Sequence, residues 1–235
     1  MNGGAGIGSE NLNELASYPE ELRVKSPRSI GQVAVDTVFF PVRALFIPEE
    51  NGFGLTSLRE ERFEMVARLS KGKVLDLGCG PGNLFIKEWT SDPESVGLDV
   101  FAYDGVERTH RDMTSLPFPD NSFDTVTLIA VGGHIPQRVR VPEFREAARV
   151  LRPGGVLLMT EGEPVTQTLD HLWRRYSFAL LGKKDMDTER GMEEDEQYCM
   201  PRQEIMQYLN TPPLRFVKSV GFMWRLNNLY VAEKL

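Results

Sequence analysis

The stretch KVLDLGCGPGNLFI, residues 73–86, combines the residue types of a ligand-binding loop. Asp76 stands near the end of an apolar run, and glycines follow at positions 78, 80 and 82. Glycine permits positive φ and removes side chains that would block a ligand. The start of a following helix offers unpaired N–H groups to an anion. The pattern therefore predicts a loop whose backbone a ligand approaches closely.

Three kinds of ligand can be compared with this loop. A dinucleotide fingerprint requires a third glycine where this chain has Asn83, and a phosphate-binding P-loop requires a Gly-Lys-Ser/Thr ending that is absent. A zwitterionic ligand also explains Asp76, because a carboxylate at the strand end attracts an ammonium while the helix start takes a carboxylate. A glycine turn that only lets strand and helix pack closely is the structural alternative.

A second acidic residue ends the next predicted strand. Asp99 closes VGLD and lies 17 residues after Gly82, where a carboxylate can accept both hydroxyls of a ribose. The structural alternative for Asp99 is a helix N-cap.

Alternating strands and helices are predicted to position these residues. The periodicity predicts strands at 74–77, 95–99, 105–110, 124–131, 156–160, 214–220 and 222–233, and helices at 56–69, 83–90 and 141–151. Pro142 is expected in the first turn of the last helix, and RPGG at 152–155 is expected to end it. The alternation predicts an α/β fold with a doubly wound sheet.

Two segments lie outside this alternation. Residues 29–47 are predicted to form one or two short helices, kinked or divided at Pro41. Residues 161–205 contain aromatic side chains and an acidic cluster, and an insertion after a strand lies on the ligand side of an open α/β sheet. We expect it to be a lid, with shielding of the sheet edge as the alternative.

The composition limits the function classes. The 235 residues are 41% hydrophobic and 26% charged, as in one soluble domain, and the net charge of -7 argues against binding to nucleic acid. Five arginines lie between positions 138 and 152, and most of them are assigned to the solvated face of a predicted helix. Cys79 and Cys199 form neither a disulfide framework nor a metal-ligand spacing, so we expect no metal and a cytoplasmic location. No signal peptide or transmembrane segment is predicted, although the apolar residues 33–47 leave interfacial membrane binding open.

Four stretches together resemble the class I S-adenosylmethionine-dependent methyltransferases of the small-molecule type. They are VLDLGCGPGN (74–83), VGLD (96–99), HRDMTSLPFPDNSFD (110–124) and EAARVLRPGGVLL (146–158). The resemblance runs from about residue 56 to 160, and more loosely to residue 235. It implies a Rossmann-like, seven-stranded, mostly parallel sheet with an antiparallel last strand. It also implies residues 1–55 as an N-terminal extension and helical cap, and 56–235 as the methyltransferase domain with the lid.

The resemblance also implies a reaction. S-adenosyl-L-methionine would be the cofactor, and its methyl group would pass to a small-molecule acceptor by in-line displacement. Methylation of a protein or lipid-like acceptor, or a non-catalytic cofactor-binding subunit that serves a partner, are the alternatives.

Positions that match the family's motifs receive roles from the resemblance. The glycine loop would surround the methionine part, Asp99 would hold the ribose, and Asp112 would reach the adenine amino group. The full set implied to contact the cofactor is Asp76, Gly78, Cys79, Gly80, Gly82, Asp99, Val100, Asp112, Met113, Ile129 and Ala130. Only 12 residues separate Asp99 from Asp112, where the family usually has a helix. We expect this helix to be missing or reduced to a turn at 103–105.

A general base is needed only if the acceptor carries a proton that must be removed. His134, in the loop VGGHIP after the fourth strand, is the candidate catalytic residue, and an imidazole that only bonds a backbone carbonyl is the alternative. Glu161 and Tyr176 are further candidates. Five aromatic residues are predicted to line an apolar acceptor pocket, unless core packing explains them: Phe39, Phe40, Phe53, Trp173 and Tyr176.

Overall fold

The computed structural model describes residues 25–164 and 199–235. Its strands are β1 Val74–Leu77, β2 Val96–Asp99, β3 Arg108–Thr109, β4 Phe123–Ile129, β5 Leu151–Gly162, β6 Leu214–Phe222 and β7 Asn227–Lys234. The described helices are α1 Ile30–Val38, α2 Phe40–Phe46, α3 Leu58–Ala67, α4 Leu84–Trp89, α5 Gln137–Val150 and α6 Arg202–Leu209. Short 3-10 turns, Pro81–Asn83 and Gly132–His134, precede α4 and α5.

The seven strands form one sheet in the order β3-β2-β1-β4-β5-β7-β6. Strands β1 to β5 pair in parallel, and β7 lies antiparallel to both β5 and β6. This confirms the predicted Rossmann-like, mostly parallel sheet with an antiparallel last strand. Because parallel strands end at the same edge, the residues that follow β1, β2 and β4 meet there.

Helices cover both faces of the sheet. On one face, Phe144 of α5 and Ile205 of α6 share a core with Leu75. On the other face, Phe63 of α3 and Phe85 of α4 share a core with Val74. Neighbouring residues of β1 therefore contribute to opposite cores, as a strand buried on both faces requires.

Two features of the helix starts were predicted from the sequence: the cap of α3 and the break between α1 and α2. The hydroxyl of Ser57 accepts a hydrogen bond from the Glu60 N–H at 3.1 Å, which caps α3. Pro41 lies in the first turn of α2, so the predicted break falls at Phe39, which ends α1 and begins α2. Proline is tolerated at this position because a first-turn N–H has no partner inside the helix.

Several predicted boundaries were wrong: β3 is shorter than the predicted 105–110, β7 begins at Asn227 instead of residue 222, and α5 and β5 begin earlier than predicted. Helix α5 begins at Gln137, so Pro142 lies inside it rather than in its first turn. The fully buried Arg140, which is not on a solvated face, anchors the early turns: its guanidinium donates to Ile135 O at 2.8 Å and to both carboxylate oxygens of Glu204 at 2.9 and 3.0 Å. Strand β5 begins at Leu151, which pairs with Phe123, whereas Val156 pairs with Thr125, so RPGG is an irregularity within β5.

The predicted lid falls largely outside the described residues. Its acidic cluster, Trp173 and Tyr176 belong to residues 165–198. Its last residues form the start of α6, a helix that the sequence did not predict, and α6 packs against α5 and β6. In the described ranges, no helix has the length and apolar character needed to cross a membrane.

Helices α1 and α2 have a reversed polarity. Asp36 is the buried residue of α1, and the buried residues of α2 are Phe40 and Arg43. Their apolar side chains point outward instead: Ile30 is 90% exposed and Phe46 is 68% exposed. The inner face of the pair therefore contains buried charged residues beside Phe40, and much of the outer face is apolar, whereas an ordinary surface helix exposes its charged residues.

A buried network of charges fixes this inner face to α3. Arg43 is 1% exposed and donates to Thr56 O at 2.5 Å, to Asp36 O at 3.0 Å and to the carboxylate of Glu61 at 2.5 Å. Asp36 accepts from the N–H of Thr56 at 3.0 Å and from Arg28 at 2.9 Å. Burial acts to raise the pKa of Asp36, but these hydrogen bonds outweigh it and lower the pKa.

Replacing Arg43 tests whether this network holds the N-terminal helices. In Arg43→Met, the Glu61 carboxylate and the carbonyls of Asp36 and Thr56 lose their donor. Removing one partner of a buried ion pair costs roughly 3–5 kcal/mol, so the free energy of unfolding should fall by about that amount. Urea denaturation followed by circular dichroism measures it.

Arg59→Met is the matched control. Arg59 pairs with Glu49 at 3.4 Å and both side chains are partly exposed, so its loss should cost less than about 1 kcal/mol. Equal effects of the two substitutions would contradict a structural role for the network.

Candidate active site at the carboxyl edge of the sheet

The glycine loop leaves β1 with its backbone in the left-handed region. Gly78 has φ 73° and Gly80 has φ 65°, values that a residue with a Cβ rarely adopts. A Cβ at Gly78 would lie 2.6 Å from Cγ1 of Val131, in the loop after β4, whereas a Cβ at Gly80 would point into open space. Gly78 thus lets two loops approach each other, and Gly80 leaves one side of the backbone uncovered.

Backbone hydrogen bonds tie this loop to its neighbours. The N–H groups of Gly78 and Cys79 donate to Leu98 O at 2.8 and 3.3 Å, and the Gly82 N–H donates to Asp104 O at 2.7 Å. Burial, with the charges of Asp76 and Asp99, raises the pKa of the Cys79 thiol. Cys79 therefore contributes its backbone to the loop, and its side chain remains a neutral thiol.

Asp99 holds the loop through its carboxylate. One oxygen accepts from the Gly80 N–H at 2.9 Å and the other from the Phe101 N–H at 3.0 Å. The side chain is nearly buried, at 5% exposure. An ionised carboxylate has about four acceptor positions, so each oxygen retains one for a further donor. The N-cap alternative does not apply, because Asp99 is followed by a turn and no helix.

Asp76 lies inside the sheet beside Asp99. It is 2% exposed and accepts a hydrogen bond from the Thr127 hydroxyl at 2.6 Å. Burial and the charge of Asp99 raise the pKa of Asp76 to about 7, although the Thr127 hydrogen bond acts in the opposite direction. A nearby cation would stabilise the carboxylate form. Thr127 was not singled out from the sequence, but the strand register pairs it with Asp76.

Asn83 stands where a dinucleotide fold has its third glycine. It is fully buried with φ 51°, and a Cβ at Gly97 of β2 would lie 1.9 Å from its Oδ1. The close contact between helix and sheet is therefore supplied by Gly97 on the strand instead of a glycine on the loop. Gly97 was also missed, because its partner is distant in sequence.

A turn occupies the connection between β2 and β3, as predicted. The Val106 N–H bonds to Tyr103 O at 3.2 Å, and Lys87 donates to Gly105 O at 2.9 Å. A Cβ at Gly105 would lie 2.8 Å from Cα of Gly82, so the turn packs directly on the glycine loop. The rings of Phe101 and Tyr103 lie 5.7 Å apart on this connection.

Further residues implied to contact the cofactor come from both sides of β3 in the sequence: Val100 precedes it, and Asp112 and Met113 follow it. Val100 and Met113 pack into the same core cluster. Asp112 is exposed, and its Oδ1 accepts from the N–H of Thr114 at 3.0 Å and from the Thr114 hydroxyl at 2.5 Å. These hydrogen bonds lower the pKa of Asp112.

The end of β4 forms the opposite wall. Ile129 ends the strand and is half-buried, and Ala130 follows with φ 57°. The Ala130 N–H donates to both the carbonyl and the hydroxyl of Thr160 on β5, at 3.1 and 3.0 Å. His134 lies at the end of the next 3-10 turn, and its backbone N–H donates to Val131 O at 2.9 Å.

The predicted aromatic pocket is not assembled from the described residues. Phe40 lies in the core and its ring is 5.2 Å from that of Trp224, so core packing explains it. Phe53 is 90% exposed and Phe39 is 48% exposed. The remaining two members, Trp173 and Tyr176, lie outside the described residues. Among residues 25–164 and 199–235, no group of three or more His, Cys, Asp or Glu side chains is arranged to hold a metal ion.

Comparisons with known proteins agree with this geometry. Residues 75–159 match the family described as "Methyltransferase domain". The ubiquinone/menaquinone biosynthesis C-methyltransferase UbiE of Vibrio cholerae is 31% identical over 130 residues, which cover 47% of this chain and 49% of that protein. The 27-O-demethylrifamycin SV methyltransferase of Amycolatopsis mediterranei is 34% identical over 120 residues, which cover 44% of this chain and 43% of that protein. The chain thus spans about half the length of these curated relatives.

Solved structures show the same fold. A Pyrococcus horikoshii protein aligns with a TM-score of 0.55 at 22% identity, covering 76% of this chain and 91% of that protein. An S-adenosylmethionine-dependent methyltransferase of Mesorhizobium loti aligns with a TM-score of 0.51 at 16% identity, covering 74% of this chain and 98% of that protein. The matched residues 75–159, together with the strand order and the glycine loop between two buried carboxyl groups, identify this part of the chain as a methyltransferase domain of the class I S-adenosylmethionine-dependent type.

Proposed function

We propose that the chain transfers a methyl group from S-adenosylmethionine to a small-molecule acceptor. The observation that carries the proposal is the loop at the end of β1. Gly78 and Gly80 have positive φ, Gly80 faces open space, and Asp76 and Asp99 lie on either side. A bare backbone between two carboxyl groups suits a ligand that carries both an ammonium and a ribose.

Each part of the site suits one part of the cofactor. Asp76 and the backbone of Gly78, Cys79, Gly80 and Gly82 would hold the methionine end, because a buried carboxyl group attracts the ammonium. Asp99 retains acceptor positions for the ribose hydroxyls. Val100, Asp112 and Met113 would surround the adenine, and Ile129 and Ala130 would lie beside the sulfur.

Catalysis then depends on alignment more than on acid–base chemistry. The bound cofactor supplies a methyl group that its positive sulfur already activates. The chain's residues must place the acceptor atom in line with that carbon and exclude water. The two hydrogen bonds from the Ala130 N–H to Thr160 fix the end of β4 and would help to align the acceptor. His134 lies on the same side, and proton removal by His134 is a prediction that enzyme assays must test.

The names of the two curated relatives support a small acceptor, because one is a C-methyltransferase of ubiquinone/menaquinone biosynthesis and the other a 27-O-demethylrifamycin SV methyltransferase. We propose residues 56–235 as the methyltransferase domain, residues 1–55 as an extension and helical cap, and residues 161–205 as a lid.

A lipid-like acceptor is the second candidate. The outward apolar face of α1 and α2, with Ile30 90% and Phe46 68% exposed, favours it, because water-exposed patches of this kind mark sites that bind apolar surfaces. Incubation with methyl-labelled cofactor and short- and long-chain phenols separates the candidates. Transfer only to long-chain phenols would favour the lipid-like acceptor, and cofactor binding without any transfer would favour the non-catalytic alternative.

The Asp99→Ala substitution tests the ribose assignment. A hydrogen bond to a charged group contributes roughly 1.5–3 kcal/mol, so the variant should bind S-adenosylhomocysteine about 10- to 150-fold more weakly. Isothermal titration calorimetry measures the affinity, and circular dichroism checks that the variant is folded.

Glu94→Ala is the matched control, because it removes another carboxylate near β2: Glu94 lies just before the start of this strand, whereas Asp99 is its last residue. Glu94 pairs with Lys73 at 2.9 Å at the other edge of the sheet, so its removal should leave the affinity unchanged. An Asp99→Ala variant that binds like the wild type would overturn the ribose assignment.

Asp76 should make cofactor binding depend on pH. With a pKa of about 7, Asp76 is mostly protonated at pH 6 and must lose its proton to pair with an ammonium. Affinity for S-adenosylhomocysteine should therefore rise by up to about tenfold per pH unit between pH 5.5 and 7, a range in which the ligand's α-amino group stays protonated. Calorimetry in two buffers of different ionisation enthalpy should detect proton release at pH 6.

The Asp76→Asn variant should bind more weakly and show no proton release. Glu143→Gln serves as the control, because burial raises the pKa of Glu143 on α5 to about 7 as well. If Glu143→Gln abolished the proton release and Asp76→Asn did not, the Asp76 assignment would be wrong.

A further inference from the structure

Glu161 is a buried carboxyl group at the carboxyl end of β5, next to the site. It is 2% exposed and pairs in register with Asn228 of β7. The preceding residue, Thr160, accepts both hydrogen bonds from the Ala130 N–H. The Glu161 side chain therefore starts one residue from the wall assigned to the reacting end of the cofactor.

Gly132 allows this carboxyl group to approach the loop after β4. A Cβ at Gly132 would lie 2.3 Å from Oε2 of Glu161 and 2.4 Å from Cε of Met159, so no larger residue fits without displacement. The neighbouring Val131 touches the glycine loop, since a Cβ at Gly78 would lie 2.6 Å from it. Oε2 thus lies against the loop that follows β4, and the same loop contacts the glycine loop through Val131.

Oε2 of Glu161 is an orphaned polar atom. It is buried, and it makes no hydrogen bond with any residue in the ranges 25–164 and 199–235. Leaving a buried acceptor unpaired costs roughly 1–3 kcal/mol, so such an atom calls for an explanation such as a missing ligand or a catalytic role. Arg62 and Arg140 lie near enough for their charges to act on the carboxyl group, but no described residue donates a hydrogen bond to Oε2.

Resting on the proposed methyl transfer, we propose that Glu161 accepts the proton of the methyl acceptor, which is therefore a hydroxyl or carbon acid that loses a proton on methylation. Oε2 is the atom that bonds to the acceptor's hydrogen. The inference concerns the acceptor side and not the cofactor contacts, so the two can fail separately.

The proton and the electrons balance in one step. The Glu161 carboxylate takes H⁺ from the acceptor atom, and the electron pair of that bond becomes available for the new bond to the methyl carbon. The carbon–sulfur bond of the cofactor breaks with its electron pair left on sulfur, which becomes a neutral thioether. Glu161 ends as a neutral carboxylic acid and returns the proton to water after product release.

The surroundings of Glu161 bring its pKa close to neutral pH, where a general base works best. Burial raises the pKa of Glu161 to about 8, against the opposing effects of Arg62, the Gly162 N–H, Arg140 and the Met200 N–H. The charged and titratable groups that face it are Arg62 from α3, Arg140 from α5, Cys199 before α6 and Tyr230 from β7. A base whose pKa lies near the working pH transfers protons efficiently.

Enzyme assays of Glu161→Gln test the proposal. The probes are a phenol and a β-diketone, which must lose a proton, and an aryl thiol, which is already ionised at neutral pH. In the wild type, kcat/KM for the phenol and the diketone should rise between pH 6 and pH 8 and level off above. Glu161→Gln should lower these values at least about 100-fold and leave transfer to the thiol within a few-fold.

Two variants sharpen this comparison. Glu143→Gln removes another buried carboxyl group and should leave the pH profile unchanged, whereas His134→Gln removes the competing base candidate. Loss of the pH dependence in His134→Gln but not in Glu161→Gln would overturn the proposal, as would wild-type transfer to the thiol alone. Transfer to none of the probes would contradict the proposed function and the inference with it.

Stability and binding provide readouts that need no acceptor. A carboxyl group whose pKa is raised on folding loses its stabilising contribution as the pH rises from about 4.3, the unfolded value, through about 8. The melting temperature of Glu161→Gln should therefore match that of the wild type at pH 4 and exceed it at pH 9. Affinity for S-adenosylhomocysteine should stay within twofold of the wild type, which separates this inference from the cofactor site. A variant equally destabilised at both pH values would contradict a proton-holding role.

Discussion

The hydrogen bond between the Asp99 carboxylate and the Gly80 N–H is the constraint on which the site depends. The glycine loop has three residues with positive φ and few side chains of its own, so local packing cannot fix its shape. Asp99 fixes it from the neighbouring strand and at the same time holds the Phe101 N–H. One side chain thus sets the distance between the end of β1 and the chain that leaves β2. These two segments are therefore held in place without a ligand, which lowers the entropy cost of binding one.

Much of the fold was predictable because its signals are local. The apolar runs of β1 and β4, the Ser57–Glu60 cap and the break at Pro41 each depend on residues a few positions apart. The boundaries of α5 and β5 were wrong for the opposite reason. Arg140 fixes the start of α5 by binding Glu204, 64 positions away, and the register with β4 decides where β5 begins. Such long-range contacts leave no periodic signal in the sequence.

The candidate site shows the same division. Asp76, Asp99 and the glycines could be found because a spacing pattern joins them. Thr127, Gly97 and the approach of Gly132 to Glu161 could not, because each depends on two strands or loops that meet only in the folded sheet. The short connection between β2 and β3 lies between these cases. Its length predicted the missing helix, but only the structure shows that the turn rests on Gly82 and presents the Phe101–Tyr103 pair.

The reversed polarity of α1 and α2 restricts how these helices can behave. Asp36 and Arg43 are paired within the protein with Arg28 and Glu61, so the two helices cannot turn over to bury their apolar side without breaking both ion pairs. An amphipathic helix on a flexible tether has that freedom, and these two do not. Any apolar ligand that binds them, whether lipid, protein or another segment of the same chain, therefore binds a surface whose shape and orientation are already fixed.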